Sequence, residues 1–336
     1  MTGINKFYEY LGIPFGFVIS VFYGLTGNYL LSLLFLTLIV RLCLLPASIK
    51  QQKSMAMQQR LQPKLRRIRE KYGNDQQKIQ QETQALYQQE GFSAMGGGCL
   101  PTLIQFPIMI GLFRVNYHPL SWILRIKDEA YDALMSALTN YADTVNAAAK
   151  VAAEESGEKY KAVIDLSSGL YNEVFVLKYW NEIKAAGLSL NNDIINTIES
   201  FIDKYKIFGI FLGDTPNFQS FDKLWLIPLL LGLVSIGTAV YSLVRQKKNN
   251  PEMSNNPSMG CMMFSMPIMQ VVFAFIFPVI VGVYIIISSL LSLIQMIILN
   301  HIYSPKKVLA KAMVDETIYR RSKEENTKKI NELNND

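Results

Sequence analysis

The sequence predicts an all-α integral membrane protein with five transmembrane helices, a cytoplasmic helical hairpin and an extra helical extracytoplasmic insertion. Three observations carry this expectation. Charged residues are only 18% of the 336 positions, against about 25% in soluble domains, and the deficit is concentrated in runs of membrane-crossing length. Arg41 is the only Asp, Glu, Lys or Arg between Glu9 and Lys50. The connections between the apolar runs alternate between a basic and an acidic balance.

Residues 1–27 are read as an interfacial helix, because INKFYEYLGIPFGFVISVFYG places aromatic and polar groups where headgroups lie. A short extra span is the alternative. No small-residue cleavage site ends this stretch, so it does not resemble a cleaved signal. Spans are placed at 28–49, 98–118, 223–244, 261–277 and 278–300, because about 20 residues rising 1.5 Å each cross ~30 Å of hydrocarbon. Residues 253–305 hold no Asp, Glu, Lys or Arg. That is too long for one span, and Phe277-Pro278 supplies a break that demands a very tight turn.

Orientation follows from Lys and Arg in the connections. Residues 50–97 hold nine basic against four acidic side chains, and 245–257 hold three against one. The tail after His301 holds eight against six, whereas 119–222 hold nine against fifteen. The N-terminus is therefore placed outside, with the 245–260 loop and the 301–336 basic tail in the cytoplasm.

The segment 50–97 is expected to fold as a hairpin of two helices, from Pro46 to about Tyr72 and from Asp75 to about Glu90. Gly73-Asn74-Asp75 supplies the turn, with Asp75 as N-cap. Leu61, Leu65, Ile68 and Tyr72 form a helical stripe that Ile79, Thr83 and Leu86 continue on the return. Pro63 is a candidate kink. Lys64, Arg66, Arg67, Arg69 and Lys71 form a basic surface with two open readings. One is a solvated linker held to anionic lipid; the other is a docking arm for ribosomes, targeting factors or emerging chains. Outside the membrane, 119–206 contains AYDALMSALTNYADTVNAAAKVAAEE and further candidate helices near 171–186 and 191–206. It reads as a small acidic helical cap, either decoration or a partner-binding surface.

Arg41 bears most directly on function. A guanidinium at a bilayer centre costs between ~2.5 and well over 10 kcal/mol unless it faces water or protein. A wet cavity relieves that cost. Snorkelling toward Lys50, about 13 Å further along, is the alternative. Cys43, Cys99 and Cys261 lie in or beside apolar segments without CxxC spacing, which excludes a disulfide framework or a metal site. His118 and His301 are the only histidines, with no carboxylate constellation near them, so catalysis is not expected. Gly96-Gly97-Gly98 lacks the lysine of a phosphate loop, and no cofactor is expected. Met55, Met57, Met259, Met262, Met263, Met266 and Met269 gather near the inner side, suited to varied apolar surfaces or to ordinary packing.

The run LLFLTLIVRLCLLPASIKQQKSM, followed by LQPKLRRIREKYGNDQQKIQQETQALYQQEG, resembles YidC-type membrane protein insertases, bacterial relatives of the mitochondrial oxidase-assembly and chloroplast Albino insertases. The likeness continues in order through GGGCLPTLIQFPIMIGLFRV, FLGDTPNFQSFDKLWLIPLLLG and MGCMMFSMPIMQVVFAFIFPVIVGVYIIISSLLSLIQ. It covers nearly everything but 119–206. The resemblance implies five helices around a hydrophilic groove open to the cytoplasm and sideways to lipid, in a bacterial cell membrane. Arg41 falls on that family's groove arginine, and Gln105 on a position where relatives also carry glutamine. Thr37, Ser265, Gln270 and Ser288 complete the candidate groove set. The chain departs from the pattern at Ser288 and Ser289, where relatives often carry an asparagine pair, and in the length of its external insertion.

The implied activity is that of an insertase and chaperone, not an enzyme, receiving nascent membrane proteins with or without a Sec translocon. Ribosome, targeting receptor, translocon and anionic lipids are the implied partners, with no sequence-specific nucleic-acid binding. A small secondary transporter or a membrane scaffold are the rival readings. The first normally shows internal repeats that are not found here; the second leaves Arg41 uncompensated.

Overall fold

The structure, a computed structural model, describes residues 3–73, 75–90, 100–157, 159–167, 169–188, 190–249 and 257–333. Cys99, the Gly96–Gly98 run and part of the loop 245–260 lie outside the described residues. The chain is almost entirely helical and divides into two compact units, one of 1–40, 104–237 and 265–289, the other of 41–103, 238–264 and 290–336.

The first unit begins with α1 (Gly3–Thr26), which packs against α5 (Leu100–Tyr117) and α6 (Pro119–Trp122). Small residues set the approach. A side chain at Gly16 would strike the Trp122 ring, and one at Gly111 would lie 2.6 Å from the Phe15 ring, so glycine lets these helices close up. The outward face of α1, with Tyr10, Ile13, Phe17, Val21 and Leu25, is exposed and apolar. After Gly27, in left-handed backbone, Asn28 caps α2 (Tyr29–Cys43) by accepting from the amides of Leu30 and Leu31.

The insertion folds as a helical cap whose core is continuous with buried residues of α2 and α5. α7 (Asp128–Ser156) carries Asp128 and Glu129 in its first turn, where the helix dipole favours them, and ends at left-handed Gly157. Leu134, Leu138 and Ala142 share one face of α7 and are buried. Leu134 and Leu138 belong to a core with residues of α8 (Asn172–Lys178), α9 (Trp180–Ala185) and α10 (Asn192–Lys204), notably Leu177, Ile183 and Phe201. Tyr29 of α2 packs on the rings of Phe201 and Tyr205. At the end of the insertion a two-stranded antiparallel hairpin, β1 (Lys206–Ile207) and β2 (Ile210–Phe211), departs from the expected all-α class. Its turn residues Phe208 and Gly209 both have positive φ, the geometry of a tight hairpin turn. The chain then supplies carbonyls of Leu212 and Asp214 to the amides of Ile280 and Val279 at 2.9 and 2.8 Å. Those amides open α13 (Val279–Ile302) and would otherwise lack acceptors. This is how the break at Phe277-Pro278 after α12 (Pro257–Ile276) is accommodated.

A buried polar cluster ties the cap to α5. Glu173 of α8, 1% exposed, accepts from the Ser121 amide at 2.9 Å, the Ser121 hydroxyl at 2.6 Å and the Tyr131 hydroxyl at 3.3 Å. His118 Nδ1 lies 3.1 Å from the same carboxylate, and His118 Nε2 lies 2.7 Å from Arg114 Nη1. A guanidinium only donates, so Nε2 accepts and Nδ1 carries the proton to Glu173.

In the second unit α3 (Leu45–Tyr72) and α4 (Gln76–Gln89) form the expected hairpin. Tyr72 donates to Glu82 at 3.0 Å and Lys64 pairs with Glu90, a pairing that runs antiparallel. Asp75 caps α4 through the Lys78 amide at 3.1 Å. Leu61 and Leu65 are buried, and the other stripe residues are half-buried. α3 runs unbroken through Pro63. The basic tail is helical: α14 (Pro305–Leu333) lies along α3. Arg60 meets Glu316 at 2.8 Å, and Lys53 sits 5.2 Å over the Tyr303 ring.

By length and apolarity, two helices can cross a membrane among the described residues: Lys223–Arg245, most of which belongs to α11 (Leu226–Asn249), and Val279–Ile302. A third crossing results if Tyr29–Cys43 and Leu45–Met57, bent by 53°, act as one. Pro46 explains the bend, because it has no N–H for the Leu42 carbonyl and its ring crowds that turn.

Candidate functional site

Arg41 is half-buried in the last turn of α2 and has interaction partners. The helix stops two residues later, inside the expected 28–49 span, and helix resumes at Leu45. Arg41 therefore lies beside helix-end carbonyls, whose partial negative charge stabilises a cation. Thr37, one turn earlier, is buried, and its hydroxyl donates to the Leu33 carbonyl at 2.7 Å. Its proton is spent on its own helix.

The other groove candidates sit on α5, α12 and α13. Gln270 is half-buried and accepts from the Ser235 hydroxyl of α11 at 2.8 Å. Ser235 is itself buried, and the sequence reading passed over it; a lone serine within LLGLVSIG was its signal. Ser288 is buried in α13, Ser265 is exposed on α12, and both have interaction partners. The Gln105 side chain lies outside the described residues, as do those of Met259, Met262, Met263 and Met266. Met55 and Met269 are exposed. Arg41 belongs to one compact unit, and Thr37, Gln105, Ser265, Gln270 and Ser288 to the other.

On the hairpin Lys64 pairs with Glu90, and Arg66 pairs with Glu70 at 2.8 Å. Arg67 and Arg69 are exposed, and Lys71 lies 5.0 Å over the Tyr72 ring, whose phenol raises the lysine pKa. Part of the expected positive surface is therefore balanced within the hairpin. Glu316 of α14 is held below its ordinary carboxyl value by the hydrogen bond from Arg60, with Arg320 adding to the effect.

The cluster of Ser121, His118 and Glu173 corrects the expectation that no carboxylate approaches a histidine. It does not form a nucleophilic triad. The Ser121 hydroxyl is bonded to Glu173, and the one acceptor nitrogen of His118 faces Arg114. No imidazole nitrogen is left to take a proton from serine. Among the described residues no group of three or more His, Cys, Asp or Glu side chains could hold a metal ion.

A family model described as "60Kd inner membrane protein" matches residues 21–307, from the end of α1 through α14's first turn. Membrane protein insertase MisCA of Bacillus subtilis is 39% identical over 136 residues, covering 37% of this chain and 52% of that protein. Membrane protein insertase YidC of Clostridium perfringens is 43% identical over 101 residues, covering 30% of this chain and 42% of its own length. The Fusobacterium nucleatum protein of the same description is 42% identical over 89 residues, 26% and 43% of the respective chains. The matched region thus spans about half or less of the length of these relatives.

Proposed function

Because the chain belongs to the 60Kd inner membrane protein family, we propose that it is a membrane protein insertase. It receives hydrophobic segments of nascent proteins in a polar groove open to the cytoplasm and releases them sideways into the bilayer. The observation that carries this reading is Arg41, a cation within an apolar helix and inside the matched region. Five crossings form the groove, with α5, α12 and the bent pair Tyr29–Cys43 and Leu45–Met57 added to the two helices that meet the length criterion. The N-terminus is outside and the C-terminus in the cytoplasm, as the basic connections favour.

The physics is that of a shortened barrier. An incoming segment must carry a polar or acidic flank across hydrocarbon while its apolar part reaches lipid. Arg41 supplies positive potential in a site less screened than bulk water, attracting that flank. Partitioning then drives release, at roughly 0.3–0.6 kcal/mol for each Leu, Ile, Phe or Val that enters lipid. Thr37, Gln105, Ser265, Gln270 and Ser288 are the polar residues assigned to the groove in this reading, Ser265 from an exposed position and Thr37 with its hydroxyl given to the Leu33 carbonyl. The hairpin cations Lys64, Arg66, Arg67, Arg69 and Lys71 receive ribosomes, targeting receptors or emerging chains, and a Sec translocon acts beside the protein for some clients.

Reconstitution tests this reading. The purified chain in liposomes should insert a single-span client synthesised in vitro, measured as protease protection of the client's translocated flank. Solute flux through the same liposomes without client insertion would instead support a transporter.

A further inference from the structure

The segment entering α11 is built to hold two phenylalanines outward. Trp225 donates its indole N–H to the carbonyls of both Asn217 and Ser220, each at 2.9 Å. The Asn217 side chain accepts from the Gln219 amide at 3.0 Å, and Asp222 caps the following turn through the Leu224 amide at 3.0 Å. These bonds close residues 217–225 into a clamped loop. Phe218 packs 4.6 Å from the Phe275 ring, and Phe221 packs 4.9 Å from Trp225. Yet Phe218 remains 70% exposed and Phe221 81% exposed. A loop ordered around two largely uncovered aromatic rings is informative where those rings are contiguous with further exposed apolar surface, because such a patch marks an interaction site.

We propose that Phe218 and Phe221, clamped by Trp225, form an anchor that lies in the lipid interface of the outer leaflet. The proposal rests on the reading that α11 crosses the membrane. Continuity carries the choice of occupant. Below the loop the exposed side of α11 carries apolar side chains from Leu226 to Val244, through Leu229, Leu233, Ile236 and Val240, before Lys247 and Lys248 end the stripe. The two rings therefore extend a lipid-facing stripe to its outer end, the depth at which aromatic side chains are favoured. Asp222 and Lys223 offset each other's charge beside the rings, so the anchor depends on apolar contact and not on anionic headgroups. The indole N–H is satisfied within the loop, which leaves Trp225 as a brace rather than a headgroup donor.

The test places a nitroxide at Ser220→Cys, between the two rings, in full-length protein carrying Cys43→Ser, Cys99→Ser and Cys261→Ser. The protein is reconstituted in vesicles of phosphatidylcholine, with and without phosphatidylglycerol. Collision with a water-soluble nickel complex is measured against Lys150→Cys as the aqueous reference and Leu233→Cys as the lipid reference. The anchor predicts nickel accessibility at 220 several-fold below that at 150, equal in both lipid mixtures. It also predicts a return toward the value at 150 when Phe218→Ala and Phe221→Ala are combined. Aqueous accessibility at 220 with a lipid-buried 233 overturns the anchor and leaves the span intact. Aqueous accessibility at both positions overturns the span as well. Dependence on phosphatidylglycerol overturns the apolar account of the contact.

Discussion

Replacing Glu173 by alanine should destabilise the cap more than any other single carboxylate change. The carboxylate is 1% exposed and gathers the Ser121 amide and hydroxyl, the Tyr131 hydroxyl and His118 Nδ1. Two of these donors cannot turn away: a backbone amide, and a ring nitrogen fixed on its other side by Arg114. A stranded buried donor costs about 1–3 kcal/mol, so two give about 2–6. In a folded body of this size that lowers Tm by on the order of 10 °C. Glu173→Gln keeps one acceptor oxygen but turns an amino group toward a donor, and should cost about 1–3 kcal/mol. Thermal unfolding in detergent, followed by the fluorescence of buried Trp180, reads both. Combining each change with His118→Ala should reveal a coupling of at least about 1 kcal/mol, because the residues share one network. A Glu173→Ala protein melting within a degree of the parent, or a cycle with no coupling, would refute the claim that this cluster holds the cap to α5.

Three further outcomes follow from the same structure. Phe208 holds left-handed backbone at a hairpin tip while its side chain is 79% exposed. Phe208→Asn should therefore raise cap stability by about 1 kcal/mol, read in the same melts, since asparagine tolerates that conformation. The Glu316 carboxyl is depressed below its ordinary value of 4.5 by Arg60 and Arg320. Its contribution to docking α14 on α3 is therefore complete above pH 4.5 and lost as pH falls through the lower folded value. Spin labels on the two helices should separate only in that acid range, and Glu316→Gln should abolish the pH dependence. Finally, Arg60→Glu should loosen α14 at neutral pH, and adding Glu316→Arg should restore it, with protease cleavage within 305–333 as the readout.

Periodicity made the cytoplasmic hairpin legible. Leu61, Leu65, Ile68 and Tyr72 repeat at helical spacing, and Asp75 carries a cap chemistry that needs no distant partner. The bend after Cys43 was also within reach, since Pro46 cannot donate to the carbonyl four residues back, but an unbroken apolar run concealed it. The buried cluster was not legible. Glu173 and His118 are 55 residues apart, and neither residue's local pattern announces the other. The docking of α14 hid behind its mixed charges, although Val308, Leu309, Ala312 and Glu316 share one partly covered face. Ser235 gave only a weak local signal, because one hydroxyl in an apolar helix bonds as readily to its own backbone as to a neighbour such as Gln270.

The most direct measurement compares Arg41→Ala and Arg41→Lys with the parent chain in proteoliposomes. Paired clients would differ only in whether their translocated flank is acidic or uncharged. The account predicts that Arg41→Ala loses most insertion of the acidic client and least of the uncharged one. Arg41→Lys should lie between, because lysine keeps the charge but not the planar donor fork. Equal insertion of both clients by the parent and Arg41→Ala proteins would contradict it.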